Sequence, residues 1–593
     1  MKKILSQIKQ YMGATIATPV CVVLEVVMEV LLPLITAKII DDGITQGNLG
    51  VVVKYGIIMV VAAMFSLMFG ALAGAYAAKA STGFACNLRE EIYRKIQTFS
   101  FSNIDKFSTA GLITRMTTDI TNIQNAFQMC IRIAVRAPIM LISSMVMSFR
   151  VNSKISAMFL VALVFLGTVL GLIVANAMKS FSAAFHKYDE LNASVQENVS
   201  AIRVVKAYVR EDYEKQKFSK ASGNLYNMLV KAESIVALNN PVMMFVNYAA
   251  VLCISWFGAH YVVGGSLTVG ELNQLFSYMF SAFMSLMMLS FIFVMISMST
   301  ASIKRISEVL DEEPDITDPE NSVKEMKDGS IDFNNVQFAY FKGENKEVLQ
   351  DIDLHIRSGE TVGIIGPTGC GKTSLVNLIS RLYDVTEGSV CVGGVDVKKY
   401  DTEFLRDNVS VVLQKNVLFS GTILENLRWG NENATEEDCI KACKAACADE
   451  FIERMPDGYN THIERGGANV SGGQKQRLCI ARALMKQPKV LILDDSTSAV
   501  DTATDAKIKA AFAEMIPGTT KLIIAQRISS VEHADRIVVL EDGRISGIGT
   551  HEELLKNNET YADIYNSQVG GGGDFDRPEN SAGKAVDAGK EGV

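Results

Sequence analysis

Residues 361–374 read TVGIIGPTGCGKTS, and this stretch decides the architecture of the second half of the chain. Thr361 to Ile365 form a short, β-branched apolar run of the kind that makes a buried strand. The run leads directly into the pattern G-x-x-x-x-G-K-[ST]. Gly366 opens the pattern, Pro367, Thr368, Gly369 and Cys370 fill it, and Gly371, Lys372 and Thr373 close it, with Ser374 next in the following helix. Glycines let the backbone curl so that its N–H groups cradle phosphate oxygens. Lys372 then reaches the β- and γ-phosphates, and Thr373 offers a hydroxyl to Mg²⁺. A strand before and an amphipathic helix after separate this from a chance glycine-rich turn.

Downstream, residues 489–495 read KVLILDD. Four apolar residues ending in a carboxylate place that carboxylate at the mouth of a sheet, so Asp494 is expected to hold Mg²⁺ or its water, with Asp495 beside it. From about residue 328 short apolar strands alternate with amphipathic helices, which predicts an α/β domain with a largely parallel sheet. Between the two phosphate-related elements stands NVSGGQKQRLCIARALMK. Here Val470, Ser471, Gly472, Gly473 and Gln474 lead into a basic amphipathic helix, whose free N–H groups and dipole make a second anion cradle. One nucleotide domain does not need two cradles, so the second is expected to serve a nucleotide held by another such domain. Asp542 and Gly543, in VVLEDGRIS, read as a hairpin turn between late strands.

Upstream the composition changes. The whole chain has 593 residues, 49% hydrophobic and 21% charged, with a mean hydropathy of +0.20, which excludes a disordered chain and points to a membrane portion. At about 150 residues per domain, this length predicts three or four domain-sized units. The 57 basic and 65 acidic residues leave a net charge of −8, which argues against nucleic acid as a partner. Apolar runs long enough to cross a bilayer lie near 15–40, 51–78, 127–149, 155–178, 239–263 and 269–299. The polar stretches 79–126 and 179–237 keep helical periodicity, so the helices are expected to continue outside the bilayer. Those two stretches carry fifteen Lys and Arg, whereas the short connections carry only Arg150 and Lys154. The positive-inside rule therefore puts the long stretches and both termini in the cytoplasm, with Lys38 and Lys54 at span edges running against it. The opening MKKILSQIKQYMG, with no cleavage site before the first apolar run, reads as an amphipathic helix on the cytoplasmic membrane face.

Charges inside the spans are costly unless paired or wetted. Glu25 and Glu29 share one face of the first span, and Arg132 and Arg136 one face of the third. Either these faces meet as ion pairs, or some of them line a substrate cavity in which Glu25 or Glu29 attracts a cation. The sixth span interleaves Met279, Met284, Met287, Met288, Met295 and Met298 with Phe276, Phe280, Phe283, Phe291 and Phe293. Such a surface can repack around unlike apolar ligands, although the same residues serve ordinary helix packing and lipid contact. The ten cysteines include no C-x-x-C pair and read as reduced thiols. Cys439, Cys443 and Cys447 share a helical face, as a metal site or as small buried apolar groups.

Taken together, the phosphate loop, LILDD, VSGGQ and six spans resemble the ATP-binding cassette (ABC) exporters, over roughly residues 1–568. The match to the family signature LSGGQ departs only at Val470. The resemblance implies an α-helical membrane domain of six long transmembrane helices followed by an α/β P-loop nucleotide-binding domain, working as a dimer with two ATP molecules and Mg²⁺ between head-to-tail cassettes. It implies an elbow helix at 1–14, a membrane domain at 15–318 and a nucleotide-binding domain at 328–568; the tail at 569–593, low in apolar residues, reads from its composition as disordered. It implies that Tyr340 stacks on adenine, and that Gln414 in VVLQKN senses Mg²⁺ and water. Thr373, Gln414 and Asp494 are then the Mg²⁺ ligands. Glu464 in THIERGG resembles the acid that touches the coupling helices, Asp501 in SAVD resembles the D-loop aspartate, and Phe101 to Thr109 and Asn198 to Val204 would lie near the two coupling helices.

Two departures from the family pattern carry the most information. The family has a catalytic Glu after the strand aspartate where this chain has Asp495, and a switch His where it has Gln526. A carboxylate one methylene shorter falls short of the attacking water, and a neutral amide lacks imidazole's charge and proton chemistry. A misplaced general base alone costs about 10² to 10⁴ in rate. The resemblance is then to the degenerate-site subunit of heterodimeric multidrug exporters of bacterial cytoplasmic membranes, moving amphipathic or apolar compounds. The alternatives are a lipid or peptide exporter, a homodimer, or an ATP-binding regulatory subunit without hydrolysis of its own.

Overall fold

A computed structural model describes residues 2–340, 347–495 and 502–569, apart from the side chains of a few helical residues. The chain divides into two compact units, one formed by residues 1–98 and 107–312, the other by 99–106 and 313–593. Length alone predicts three or four units. The first unit resists division because single helices run through it from end to end, so no sparse boundary crosses them.

The first unit is built of helices. They are α1 (Lys2–Ser6), α2 (Met12–Lys38), α3 (Leu49–Gln97), α4 (Phe101–Phe107), α5 (Thr109–Thr114), α6 (Ile120–Val151), α7 (Ser153–Ser200), α8 (Ile202–Ala207), α9 (Glu211–Ala237), α10 (Asn239–Val263) and α11 (Val269–Asp311). Most of α4 belongs to the second unit. Among the described residues six helical segments are long and apolar enough to cross a membrane; the first five expected spans each lie inside one, and the sixth, 269–299, runs past the apolar segment Val269–Phe293 along the same helix. At 1.5 Å per residue the 49 residues of α3 and the 48 of α7 are far longer than a bilayer needs, so the helices do run on beyond their apolar portions. Their starts are fixed by side-chain caps. Asn152 Oδ1 accepts from the N–H groups of Lys154 and Ile155, both at 3.1 Å, and Thr268 forms a reciprocal capping box with Glu271. α3 turns Ala73, Ala77 and Ala80, all fully buried, inward. Small residues let neighbouring helices approach closely where lipid supplies no hydrophobic drive.

The opening segment differs from the expected single amphipathic helix on a membrane face. It breaks into α1 and a 3₁₀ turn at Lys9–Tyr11. Ile4 and Ile8 are buried in protein, Lys3 Nζ donates to Leu310 O at the end of α11 (2.8 Å), and Asn87 Nδ2 on α3 donates to Gln7 O (3.1 Å). The chain bends to satisfy partners on two helices at once.

The second unit is α/β. Its strands are β1 (Ile331–Phe338), β2 (Leu349–Ile356), β3 (Thr361–Ile365), β4 (Glu387–Val392), β5 (Val395–Asp396), β6 (Val409–Val412), β7 (Gly421–Thr422), β8 (His462–Ile463), β9 (Val490–Asp494), β10 (Thr520–Ile524), β11 (Arg536–Glu541) and β12 (Arg544–Gly549). The central sheet has the order β12-β11-β3-β10-β9-β6 and is parallel except for β12. β3, β9 and β10 are buried along nearly their whole length, as strands covered on both faces must be. A second sheet, β2-β1-β4-β5, is antiparallel. Asp542 and Gly543, both at positive φ, close the β11–β12 hairpin. Cys439, Cys443 and Cys447 are buried in the unit's apolar core, and burial pushes each thiol upward from its ordinary pKa.

Candidate functional site

The parallel sheet brings the ends of β3, β9 and β10 side by side, because Ile364 pairs with Ile524 and Ile524 with Asp494. Everything at those ends converges. After β3 the backbone turns at Gly366, φ +155°, where a side chain would collide with the Leu540 carbonyl. It enters the helix Lys372–Ile379 (α12) through Gly371, φ +98°. Both positions need the freedom of glycine. Pro367, Thr368 and Gly369 are exposed and Cys370 is buried, so the loop presents its backbone outward over a packed thiol. Lys372 Nζ donates to the carbonyls of Gly366 and Pro367, each at 2.8 Å.

Thr373 Oγ1 donates to Asp494 Oδ2 at 2.9 Å. Asp494 is buried, and burial, reinforced by the Asp495 charge, pushes its carboxyl upward while the Thr373 bond and Lys372 oppose the shift. Asp495 takes a left-handed backbone, φ +46°, and is half-buried. Its Oδ2 accepts from Gln526 Nε2 at 3.0 Å, and the Gln414 side chain opposes the upward push of burial on its pKa. The residue in the expected base position therefore has an amide bonded to its carboxylate. The hydroxyl of Thr373 and the carboxylate of Asp494 make a pair of oxygen donors of the kind that suits Mg²⁺.

Tyr340 follows β1, with its ring partly exposed and its hydroxyl 2.7 Å from Ser374 Oγ on α12. Val470 is buried. Ser471 caps the helix Gly472–Leu484, its Oγ accepting from Gln474 N while the Gln474 side chain accepts from Ser471 N. Among the described residues no hydrogen bond joins Val470–Gln474 to the phosphate loop, so within one chain the two anion cradles stay separate. Glu464 is exposed, its N–H bonded to Asn469 Oδ1 (2.9 Å). Asp501 and the tail from residue 570 lie outside the described residues.

Sequence reasoning did not find Tyr383. Its hydroxyl donates to Asp105 Oδ2 on α4 at 2.7 Å, and its ring stands edge-on to Tyr340, with centroids 5.1 Å apart at 88°. Tyr383 and Asp105 are 278 positions apart, and no local pattern announces such a pair.

In the first unit Arg136 on α6 binds both acids of α2. It donates to Glu25 and, at 2.8 Å, to each oxygen of Glu29. Gly70 on α3 leaves room for the Glu25 carboxyl, which a Cβ there would meet at 2.9 Å. Of the two readings of these charges, the ion pair is the one the helices form, and Arg136 rather than Arg132 makes it. The Met and Phe residues of α11 divide: Met279 and Phe283 are buried, whereas Phe280, Phe291 and Phe293 face outward. The Met298 side chain is outside the described set.

Comparison with known proteins agrees with this geometry. The family profile of the ABC transporter transmembrane region matches residues 15–287, and that of the ABC transporter matches residues 349–498. The ABC transporter ATP-binding protein YfiB of Bacillus subtilis (strain 168) is 37% identical over 570 residues, covering 96% of this chain and 99% of the relative. The ATP-dependent lipid A-core flippase of Desulfotalea psychrophila is 35% identical over 489 residues, covering 81% and 84%. A solved bacterial Atm1-family ABC exporter with ATP bound superposes with a TM-score of 0.77 at 23% identity, covering 96% of this chain and 98% of the other, which establishes a shared fold. The chain therefore belongs to the ABC transporter family, as a half-transporter of exporter fold that carries one six-helix membrane unit and one ATPase unit.

Proposed function

We propose that this chain is one half of a heterodimeric multidrug-type ABC exporter of a bacterial cytoplasmic membrane, with its termini and nucleotide-binding unit on the cytoplasmic side. ATP binding closes the paired nucleotide-binding units, and the closure drives outward movement of amphipathic or apolar compounds. The observation that carries the reading is the environment of Asp495, a short carboxylate hydrogen-bonded by the Gln526 amide. A general base must have a free lone pair within reach of the water it activates, and here both the reach and the lone pairs are reduced. Thr373, Asp494 and Gln414 would hold Mg²⁺, which neutralises charge on the phosphates. Lys372 and the loop N–H groups then bind the triphosphate, and Tyr340 takes the base. ATP is bound at this site and hydrolysed slowly. Ser471 and the N-terminus of its helix complete a second site on the partner, with Asp501 proposed at the boundary between the two.

The reading is tested by comparing ATP hydrolysis of the chain alone in lipid with that of the chain co-purified with a second half-transporter from the same genome. Negligible turnover alone and robust turnover together is the expected outcome. Equal turnover by the chain alone would show that Asp495 and Gln526 suffice and that a homodimer works. A lipid substrate is the second reading, favoured by the 35% identity to a lipid A-core flippase. It predicts ATP turnover stimulated by an acidic glycolipid more than by an amphipathic dye.

A further inference from the structure

We infer that Gln568, in the last turn of the helix Glu559–Val569, is a positioning residue that holds the Gln526 amide on Asp495. The inference rests on the reading of Asp495 as a base held back by that amide, and it names the group outside the nucleotide site that keeps it so.

The loop that carries Gln526 leaves the central sheet just before it. Ala525 N–H donates to Ile364 O (3.1 Å) and Asp495 N–H to Ile524 O (3.0 Å), which carries the pairing of β10 with β3 and β9 one residue further. Beyond the loop the chain enters a 3₁₀ turn at Ile528–Ser530, where Ile528 is buried. Gln526 and Arg527, between these two anchors, are exposed. One side-chain amide spans them: Gln568 Nε2 donates to Gln526 O at 2.8 Å, and Gln568 Oε1 accepts from Ile528 N–H at 2.9 Å. An amide side chain carries a donor and an acceptor in one plane. Two bonds from it fix the orientation as well as the position of the backbone on either side of Arg527, where a single bond would let the loop swivel. From that fixed backbone the Gln526 side chain reaches Asp495 Oδ2 at 3.0 Å.

The helix that delivers Gln568 is itself anchored. Tyr561, Ile564 and Gln568 are three and four positions apart and share one helical face. Tyr561 and Ile564 are buried in the same apolar core as Ile528. The Tyr561 hydroxyl lies 2.7 Å from His551 Nδ1, and Thr560 Oγ1 donates to Glu541 Oε2 at 2.8 Å. Packing sets the helix axis, and the next turn of the same face presents an amide to the loop. The clamp has a functional direction. The Gln526 bond occupies the carboxylate that must take a proton from the attacking water, so releasing the loop should speed this site, whereas a general loss of packing would slow it.

The test uses the full-length chain in lipid nanodiscs with the second half-transporter, whose own ATP site is silenced so that turnover reports this chain's site. Gln568→Ala is expected to raise kcat about three- to tenfold, the size of one hydrogen bond. KM for ATP should stay within about twofold, because the phosphate loop is untouched. Hydrogen exchange at the Ile528 amide should quicken by about tenfold while Leu522 and Ile523 in β10 keep their protection. Gln568→Glu preserves the size of the side chain but sets an oxygen against the Gln526 carbonyl, and it should raise kcat as far. Gln526→Ala should give a rise of at least that size, and the double variant should be no faster than Gln526→Ala alone. A rise in Gln526→Ala with none in either Gln568 variant, or unchanged exchange at Ile528, would overturn the role of Gln568 and leave the slow-site reading in place. Turnover unchanged or lower in Gln526→Ala would overturn the slow-site reading and the inference together. A fall in kcat in Gln568→Ala with faster exchange all along β10 would show a role in stability alone and would likewise overturn the inference.

Discussion

The two units use the same apolar residue types and place them on opposite sides. In α3 the large side chains face outward, Leu67 with 74% of its surface exposed, while the inward face is Ala73, Ala77 and Ala80. In β9 of the nucleotide-binding unit, Val490, Leu491, Ile492 and Leu493 are all buried. Lipid rewards apolar surface on the outside and leaves the inside to close packing, whereas water drives the large side chains inward. Charge follows a parallel division. Glu25, Glu29 and Arg136 neutralise one another across α2 and α6, while Asp494 and Asp495 lie side by side at a strand end with hydroxyl and amide partners. The first cluster is built to hold helices together, and the second is left able to accept a cation or a proton.

The largest test of this division is Arg136→Ala. It leaves two carboxylates unpaired, one of them buried, and is expected to destabilise the membrane unit by about 3 kcal/mol, read as a lower melting temperature in detergent. Replacing Glu25 and Glu29 with Gln and Arg136 with Met in one protein should recover most of the loss. No recovery would mean that the charges do something besides pairing. Next in size, Asp494→Asn should weaken Mg²⁺-dependent ATP binding at this chain's own site by roughly 10- to 100-fold, the size of a hydrogen bond or contact to a charged group, with no change in melting temperature. A large fall in melting temperature instead would blur the contrast with Arg136.

Core deletions sharpen the apolar half of the comparison. Leu491→Ala should cost about 2–4 kcal/mol through the cavity it opens, whereas Leu67→Ala should stay within about 0.5 kcal/mol. Equal costs would mean that Leu67 packs against a partner chain instead of lipid. The smallest expected effect is Ser471→Ala, which removes a helix cap for about 1 kcal/mol while the melting temperature of the chain scarcely moves. If Ser471 also serves the partner's nucleotide, turnover of the complex should fall far more than that local loss accounts for.

Legibility in the sequence followed the distance over which each feature is built. The phosphate loop is contiguous, and its strand, glycines and helix lie in order along fourteen residues, so its geometry could be anticipated. The six spans were equally plain, because solubility in lipid is a property of composition over about 20 residues. The Asp542–Gly543 turn needed only two. The bend in residues 2–11 was not legible, because it depends on partners at Asn87 and Leu310, and an amphipathic helix on a lipid surface has the same local pattern.

The sequence by itself determined the fold class, the family and the chemistry available at the ends of β3, β9 and β10, since those rest on local periodicity and on the identity of residues a few positions apart. Only the tertiary structure decided that Arg136 and not Arg132 holds Glu25 and Glu29, that Gln526 donates to Asp495, and that Tyr383 reaches Asp105. Each of these pairs is brought together by helix packing or strand order across 31 to 278 positions of chain. A hydrogen bond acts over about 3 Å, and sequence spacing carries no information at that range once the chain has turned back on itself.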